Sequence, residues 1–248
     1  YKASNEFSST NEHSFLSYCG GLSDVPNDFC YKFSWSPLGV LKALMSTSVS
    51  IRDGEVYKVT KPWESVELYP LPMPWGKDEF EVYPNRDSLP FIKQYQMDDG
   101  LNIKQFVRGT LRYKGWKNAW GEIFSEVDSL DSSIAEERLK EISDDLWNKY
   151  SYKDGEVDRV ILTVELKVEN GSKIVWHKQY LMDTLGNDNG SAMAQLVSCS
   201  VALAVEAVLG NEIPSGVTAA PHQSELVSRW LEQAEDISDH FVLIDHLN

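Results

Sequence analysis

The segment "DRVILTVELKVENGSKIVWHKQYLM", residues 158 to 182, gives the strongest indication of the fold. Two runs of about ten residues, rich in β-branched side chains, flank Asn170-Gly171, a dipeptide typical of a type I′ turn between antiparallel strands. A two-residue turn there would pair Leu166 with Val175 and Val164 with His177. His177 would then lie on the apolar side of the hairpin, where we expect a structural histidine rather than a catalyst.

Several other segments have the same strand character. Alternating or aromatic-rich runs predict further strands at residues 13–22, 54–59, 80–84, 103–113 and 240–245. By contrast, the four prolines of "PWESVELYPLPMPW", residues 62 to 75, predict an extended loop, because proline cannot donate a ladder hydrogen bond. Strands therefore account for much of the predicted regular structure.

Helices are predicted between the strands, and two of them have clear start signals. Ser36 is a suitable N-cap and Pro37 is suited to the first helical position. Ser133 and Glu136 have the spacing of a capping box at the beginning of a helix over residues 133–150. The apolar residues of that helix recur every three or four positions, which indicates a surface helix with one buried face.

Two more helices complete the predicted fold. Residues 191–209 are apolar nearly all round and are followed by Gly210, so we expect a buried helix there. A last amphipathic helix spans roughly residues 223–236. Long antiparallel strands with a few helices predict an α+β domain, in which a largely antiparallel or mixed sheet is covered by helices on one face.

Composition limits the classes of partner. The 248 residues include 38 Asp and Glu against 23 Lys and Arg, a net charge of −15. A field of that sign repels nucleic acid and anionic membranes, so we expect neither as a partner. No run of 18 wholly apolar residues predicts a membrane span. Three cysteines at irregular spacing indicate reduced thiols and a cytoplasmic protein. The chain begins at Tyr1 without a signal-like segment, which suggests a piece of a longer protein.

Common catalytic motifs are missing from the sequence. None of the fifteen glycines has GxG spacing, so there is no dinucleotide-binding fingerprint, and no phosphate loop or GxSxG elbow occurs. The five histidines are scattered and the cysteines form no CxxC pair, so we predict no metal site. The chemistry of this chain is therefore expected to be ligand binding through ordinary side chains.

A local group of cations stands out in this acidic chain. Residues 101–121 contain no carboxylate but carry five cations, at Lys104, Arg108, Arg112, Lys114 and Lys117. If residues 103–113 form a strand, Arg108, Thr110 and Arg112 point to one face, and their guanidinium forks suit carboxylate ligands. The alternative is that these cations pair with the protein's own carboxylates from distant segments. The residues alone leave both readings open.

Five motifs in order give a resemblance to a known family. They are "FLSYCGGL", "YKFSWSPLGVL", "YPNRDS", "RGTLRYKGW" and "DTLGNDNGSAMAQLVSCSVALAVEAVLG". Together they resemble saccharopine dehydrogenase of the NADP-dependent, glutamate-forming kind. The resemblance implies that residues 1–217 are the substrate-binding and dimerisation domain, without the Rossmann domain that usually precedes it. Residues 218–248 would be a C-terminal helix and strand that could return to the nucleotide-binding domain.

The resemblance also implies roles for individual residues. Arg86, Thr110, Leu111 and Arg112 match substrate-binding positions, and Trp35 matches a residue that contacts NADP, which is held mainly by the missing domain. The ligand would be saccharopine, an amino-acid-like molecule with three carboxylates, and the assembly a homodimer. The resemblance thus supplies a candidate ligand for the arginines.

The parent protein would then be an oxidoreductase of lysine metabolism that acts on a C–N bond. This fragment alone is expected to be inactive, and no catalytic residue can be assigned to it. Two alternatives stay open. The first is a non-catalytic carboxylate-binding or assembly module that kept the fold, and the second is a related enzyme acting on lysine or carboxynorspermidine.

Overall fold

A computed structural model describes residues 8–98, 100–130 and 135–248. Within these ranges the chain forms nine strands of one sheet, seven helices and a 3₁₀ turn at Pro62–Ser65. The strands are β1 (Glu12–Ser23), β2 (Ser48–Arg52), β3 (Glu55–Val59), β4 (Glu67–Met73), β5 (Gly76–Pro84), β6 (Asn102–Tyr113), β7 (Asp158–Asn170), β8 (Lys173–Leu185) and β9 (His240–Asp245). The helices are α1 (Pro37–Leu44), α2 (Pro90–Gln94), α3 (Trp116–Ala119), α4 (Gly121–Asp128), α5 (Ala135–Tyr150), α6 (Ala192–Leu209) and α7 (Ser224–Asp236).

The sheet is mixed, with the order β3-β2-β6-β1-β7-β8-β9. Strand β1 lies in its centre, parallel to β6 and antiparallel to β7. Strand β5 pairs with the last residues of β6, and β4 pairs with β5. The predicted α+β class is therefore confirmed, and the two strands that carry the sequence motifs "FLSYCGGL" and "RGTLRY" are direct neighbours.

The β7–β8 hairpin is present, but its predicted register is wrong. Leu166 pairs with Lys178 and Val164 with Tyr180, three residues further along β8 than expected. The turn is centred one residue later, with Gly171 in the left-handed region at φ 59°, and a bulge next to the turn adds one more residue. The Asn-Gly dipeptide predicts neither the shift of the turn nor the bulge, so the register derived from it was wrong.

The loop predicted over residues 62–75 is also wrong, because half of it is strand β4 and its beginning is the 3₁₀ turn. Pro70 and Pro72 lie within that strand, opposite Glu79 and Lys77 of β5. Strand β4 is an edge strand that pairs with β5 among the described strands. Proline is tolerated in such a strand, because the N–H group that it lacks is not needed on the side without a neighbouring strand.

The β4–β5 hairpin folds across one face of the sheet. The Tyr69 hydroxyl of β4 bonds to Glu165 of β7, and Trp75 lies over the guanidinium of Arg159 at 5.1 Å. The core between hairpin and sheet consists of buried side chains from both layers, namely Tyr18, Leu22, Leu71, Met73, Phe80, Val82, Val107, Leu111, Tyr113, Ile161 and Leu181. Leu111 of β6 thus points toward the hairpin, and its neighbours Thr110 and Arg112 point to the other face.

A second, aromatic core lies on that other face, under the helices. It joins α1, α3, α4 and α5 and includes fully buried Trp116 and Trp120. The predicted helix at 133–150 is confirmed as α5, with Leu139, Ile142 and Leu146 buried in this core. The capping box falls on Ser133, which lies outside the described residues.

Helix α6 has the predicted bounds, but the prediction that it is buried is wrong. Only Ala192 and Ala207 are buried, while valines along its length are more than half exposed. By length and composition α6 is also apolar enough to cross a membrane, with a mean hydropathy of 1.8 over 18 residues, although the sequence analysis excluded such a segment. The apolar sequence of α6 predicts that its surface is buried, but it does not show which part of a protein buries it.

The C-terminal residues 218–248 form α7 and β9. Strand β9 pairs antiparallel with β8 over six residues and so extends the sheet at its edge. Helix α7 contacts both α6 and β9. The division of the chain at residue 217, and a return of this segment to a nucleotide-binding domain, stay predictions.

Two histidines fasten the end of the chain to β8. The ring of His246 stacks on His177 at 4.1 Å and its Nε2 lies 2.9 Å from Gln179 Oε1. His177 Nε2 in turn lies 2.7 Å from Glu165, which agrees with a structural role for this histidine. Burial, followed by the charge of His177, lowers the pKa of His246, although the nearby carboxylates of Glu165 and Asp245 oppose the shift.

This arrangement predicts a loss of stability in mild acid. The pKa of buried His13 is also lowered, by burial. A histidine whose folded-state pKa is depressed contributes stability above about pH 6.5 and loses it as the pH falls through the folded pKa, because the unfolded state binds the proton more readily. We expect the thermal midpoint to fall between pH 7.5 and 5.5, and the fall to be smaller in His246→Gln. Identical pH profiles for both proteins would contradict a contribution from His246.

Candidate functional site

A cavity of about 310 Å³ opens on the helical face, where β1 and β6 run side by side. Its lining includes three of the five site residues predicted from the sequence, namely Trp35, Thr110 and Arg112. The rest of its wall comes from five separate segments of the chain, including Cys19, Gly21, Leu22, Tyr31, Lys32, Ser34, Asn85, Tyr152, Asp158 and Met193. The pocket is therefore a product of the tertiary fold.

The pairing of β1 with β6 positions the floor of the pocket. Cys19 of β1 is the partner of Thr110 on β6. The strands approach so closely that a Cβ at Gly20 would collide with the carbonyl oxygen of Leu111, which explains why the motif has glycine there. Asn85 follows β5 and donates from Nδ2 to the Thr110 hydroxyl at 2.9 Å. Thr110 is thus fixed in the wall by a neighbouring polar side chain.

Arg112 is the outstanding group of the pocket, because its charge is buried without an ion pair to any described residue. Its exposed fraction is 6%, and among the described residues no carboxylate lies within 4.0 Å of its guanidinium. Its Nη1 donates to the Leu111 carbonyl at 2.9 Å, whereas the buried Nε has no hydrogen-bond partner in the described ranges of the chain. Glu81, directly opposite on β5, instead accepts from the backbone N–H groups of Gly115 and Lys117 at 2.9 and 2.7 Å.

Aromatic rings surround the guanidinium of Arg112. Its Cζ lies 4.6 Å from the ring centre of Tyr31, 5.7 Å from that of Trp116 and 5.9 Å from that of Tyr83. Cation–π attraction compensates part of the desolvation of the charge. Burial raises the pKa of Tyr83 despite the neighbouring Arg112, so this phenol stays protonated near neutral pH. The wall of the pocket therefore holds a buried positive charge among aromatic rings.

The other cations of the group have different environments. Lys104 pairs with Glu12 at 2.8 Å and Lys114 pairs with Glu79 at 2.6 Å, so for these two the alternative reading of internal ion pairs is correct. Arg108 stacks on Phe91 at 3.5 Å and is not part of the pocket wall. The cation-rich stretch thus places one arginine, Arg112, in the pocket.

The remaining candidate site residues, Arg86, Leu111 and Trp35, lie at different distances from the interior of the pocket. Arg86 is exposed, has a positive φ of 57°, and lies beside pocket residue Asn85 without lining the pocket itself. The Leu111 side chain is fully buried in the hairpin core, so only its backbone faces the site. Trp35 lies at the mouth of the pocket, 49% exposed, just before α1. The roles assigned to these residues stay predictions.

Several pocket residues were not anticipated from the sequence. Lys32 reaches the pocket while paired with Glu156, and the Tyr152 hydroxyl donates to the Leu22 carbonyl at 2.8 Å. Burial raises the pKa of Tyr152, which makes this phenol unsuitable as a base near neutral pH. Lys32 and Asn85 lie in the quoted motifs "YKFSWSPLGVL" and "YPNRDS" and could have been found from them, whereas Tyr152 lies outside all five motifs.

Asp158 links the pocket to helix α6. Its carboxylate accepts from the first backbone N–H groups of that helix, Ala192 at 2.7 Å and Met193 at 3.0 Å. A second, wider cavity of about 880 Å³ shares Asp158, Ser34 and Tyr152 with the first and continues along residues 186–191. The two cavities together form an elongated cleft. Among the described residues no group of three His, Cys, Asp or Glu side chains could hold a metal ion.

A buried guanidinium in an aromatic pocket, with no ion-pair partner among the described residues, is chemically suited to a small anionic ligand. The comparison with known families identifies the family of the chain. The family model described as "Saccharopine dehydrogenase C-terminal domain" matches residues 2–238, so the chain belongs to this family.

Individual relatives agree with this assignment. The chain is 30% identical to the saccharopine dehydrogenase (NADP(+), L-glutamate-forming) of Pyricularia oryzae over 90% of this chain and 64% of that protein. It is 26% identical to the mitochondrial alpha-aminoadipic semialdehyde synthase of Rattus norvegicus over 89% of this chain and 31% of that protein. Apo histidine-tagged saccharopine dehydrogenase (L-Glu forming) from Saccharomyces cerevisiae has the same fold, with a TM-score of 0.71 and 24% identity over 95% of this chain and 68% of that chain.

Proposed function

We propose that this chain is the substrate-binding and dimerisation domain of an NADP(H)-dependent oxidoreductase that acts on the C–N bond of saccharopine. The observation that carries the proposal is the buried guanidinium of Arg112, which faces a pocket and has no carboxylate partner among the described residues. A desolvated charge without a partner is costly, and a ligand carboxylate would remove much of that cost. The names of the relatives supply saccharopine as the ligand.

The other site residues take supporting roles in this proposal. Thr110 and Asn85 offer polar atoms beside Arg112 for the rest of the bound carboxylate or for the amine. Arg86 supplies a second cation at the margin of the pocket for another of the three carboxylates. Leu111 contributes through its backbone alone, since its side chain belongs to the hairpin core. The elongated cleft suits an extended substrate with charges at both ends.

The cofactor is held mainly by residues outside this chain in our proposal. The chemistry that bound NADP(H) would supply is hydride transfer to or from the carbon of the C–N bond. Trp35 fits a contact with it, because its indole is half-exposed at the pocket mouth. With no glycines at GxG spacing, the chain lacks the usual turn that grips a dinucleotide pyrophosphate. The residues of this chain bind and orient the substrate, and none is assigned a proton transfer.

Dimerisation is the second part of the proposal. Both strands of the long hairpin are covered at their sides, β7 by β1 and β8 by β9, so the hairpin itself is not a free edge. Strand β9 is an edge of the sheet, and its Val242 and Leu243 are 39% and 50% exposed. An exposed apolar edge strand supports association with a second copy.

The proposal is tested by separating binding from turnover. We expect the purified chain to bind saccharopine in a calorimetric titration, and to produce no NADPH when saccharopine and NADP are both added. Hydride transfer requires the nicotinamide to be held against the reacting carbon, and one tryptophan contact does not do this. Turnover by the chain alone would contradict the domain assignment, and absence of saccharopine binding by the folded chain would contradict the site.

A further inference from the structure

The pocket wall holds a buried acid as well as the buried arginine. Asp158, at the beginning of β7, is 5% exposed and lines the same cavity as Arg112, which is 6% exposed. Among the described residues no Lys, Arg or His side chain forms an ion pair with Asp158. The cavity of about 310 Å³ is therefore lined by one buried cation and one buried anion, and neither has an ion-pair partner in the described ranges of the chain.

Two other cations, one in the pocket wall and one next in the sequence, have carboxylate partners of their own. Lys32 is the third charged residue of the pocket lining, and it pairs with Glu156. Arg159 follows Asp158 along β7, but it donates to both oxygens of Asp183. Successive residues of a strand point to opposite faces of the sheet, so Arg159 lies on the side away from the pocket. Neither cation is thus available to compensate Asp158.

The contacts of Asp158 leave its carboxylate able to accept further hydrogen bonds. The backbone N–H groups of Ala192 and Met193 donate to its two oxygens, at 2.7 and 3.0 Å. A carboxylate offers about four acceptor positions, and these two bonds occupy one position on each oxygen. Asp158 lines both the pocket and the wider cavity that continues from it, so a ligand in the cleft lies next to this side chain.

We propose that Arg112 and Asp158 together bind the head group of an α-amino acid, with the carboxylate on Arg112 and the ammonium on Asp158. The inference rests on the proposed function and specifies which part of the ligand occupies the pocket. In saccharopine this part is the lysine-derived end, where a primary ammonium and a carboxylate are attached to the same carbon. Opposite charges in the wall match the opposite charges of such a head group.

Asp158 is then a specificity-determining residue. A ligand that carries carboxylates alone would satisfy Arg112, but it would leave Asp158 without a cation and would be repelled by its charge. Such an unfavourable contact discriminates against the wrong ligand as effectively as a favourable contact selects the right one. The pocket is therefore expected to prefer amino acids over carboxylic acids of the same shape that lack the amine.

The alternative is that Asp158 serves only to anchor the beginning of α6. A neutral acceptor can perform that role, as the Ser191 hydroxyl does when it accepts from the Ala194 N–H at 3.1 Å. Anchoring alone would also be insensitive to whether a ligand carries an amine. The two roles therefore predict different results when one amine is removed from the ligand.

The test compares two ligands in calorimetric titrations of the purified chain. They are saccharopine and desamino-saccharopine, in which hydrogen replaces the primary amine and all three carboxylates remain. We expect the wild-type chain to bind saccharopine at least about tenfold more tightly, because only saccharopine can donate charge-assisted hydrogen bonds from a primary ammonium to Asp158. Asp158→Asn should lose this preference and bind both compounds with affinities within about threefold of each other, since an amide does not attract an ammonium.

Two control variants separate a ligand contact from anchoring of the helix. Ser191→Ala removes a cap at the same helix start, and Asp188→Asn removes an exposed charge from the wider cavity. Both should keep the wild-type preference for saccharopine. Loss of the preference in Ser191→Ala as well would assign the effect to the position of α6 and would overturn the inference.

The same titrations distinguish failure of this inference from failure of the proposed function. Equal binding of the two compounds by the wild-type chain, or a full preference for saccharopine in Asp158→Asn, would overturn the role of Asp158 and leave the proposed function in place. A folded wild-type chain that binds neither compound would overturn the proposed function and this inference with it. The wild-type comparison requires no substitution, so it decides even if Asp158→Asn does not fold.

Discussion

Replacing Asp183 by Asn is expected to lower the free energy of unfolding by about 3–5 kcal/mol, the typical cost of leaving one member of a buried ion pair alone. Arg159 donates to both carboxylate oxygens of Asp183, from Nε and Nη2, each at 2.7 Å. Their side chains are only 10% and 6% exposed. An amide cannot reproduce the two parallel bonds or the charge, so the guanidinium would remain desolvated under Trp75.

The measurement is urea unfolding followed by tryptophan fluorescence. The matched control is Glu79→Gln, which removes the exposed pair of Lys114 and Glu79 and should hardly move the curve, since solvent screens that pair. A similarly small shift in Asp183→Asn would show that the bidentate pair does not hold β7 and β8 together.

Replacing Arg112 by Met is expected to weaken saccharopine binding about tenfold to a hundredfold, which corresponds to about 1.5–3 kcal/mol for a hydrogen-bonded charge. The same change should leave the free energy of unfolding unchanged or raise it. Methionine fills a similar space among Tyr31, Tyr83 and Trp116 and removes a buried charge that has no ion-pair partner in the part of the chain that the structure describes. Opposite effects on binding and stability are the signature of a residue kept for its ligand.

Two variants serve as controls for Arg112→Met in the same calorimetric titration. Arg108→Met removes a cation of the same strand that stacks on Phe91 outside the pocket, and it should keep the wild-type affinity. Arg86→Gln should weaken binding less than Arg112→Met, because Arg86 is exposed and its charge is screened. Equal affinities of Arg112→Met and the wild-type chain would contradict the assigned role of Arg112.

Much of the fold could be predicted because its strands and helices have clear periodicity. The register of the β7–β8 hairpin could not, since a bulge changes the pairing without a sequence signal. Strand β4 was missed because its prolines are acceptable only at a sheet edge, and edge position is a property of the whole sheet. The exposure of α6 was also missed. Its apolar composition suits a buried helix, but composition does not show whether the described part of the chain supplies a surface that buries it.

The candidate site was predictable only in part. The stretch without carboxylates pointed to the correct strand, yet it could not distinguish its cations from one another. Lys104 finds its partner Glu12 at a distance of 92 residues along the chain. Among the described residues Arg112 has no ion-pair partner, because Glu81, its neighbour across the strands, accepts from backbone N–H groups at the start of α3. Such differences arise from tertiary packing and leave no trace in local sequence.

The most direct test of the central claim is a crystal structure of this chain with saccharopine. The account predicts a ligand carboxylate within about 2.7–2.9 Å of a guanidinium nitrogen of Arg112, the usual length of a charge-assisted hydrogen bond, with the rest of the molecule along the cleft past Thr110. Density for saccharopine elsewhere on the chain, with Arg112 still surrounded only by its aromatic rings, would contradict it.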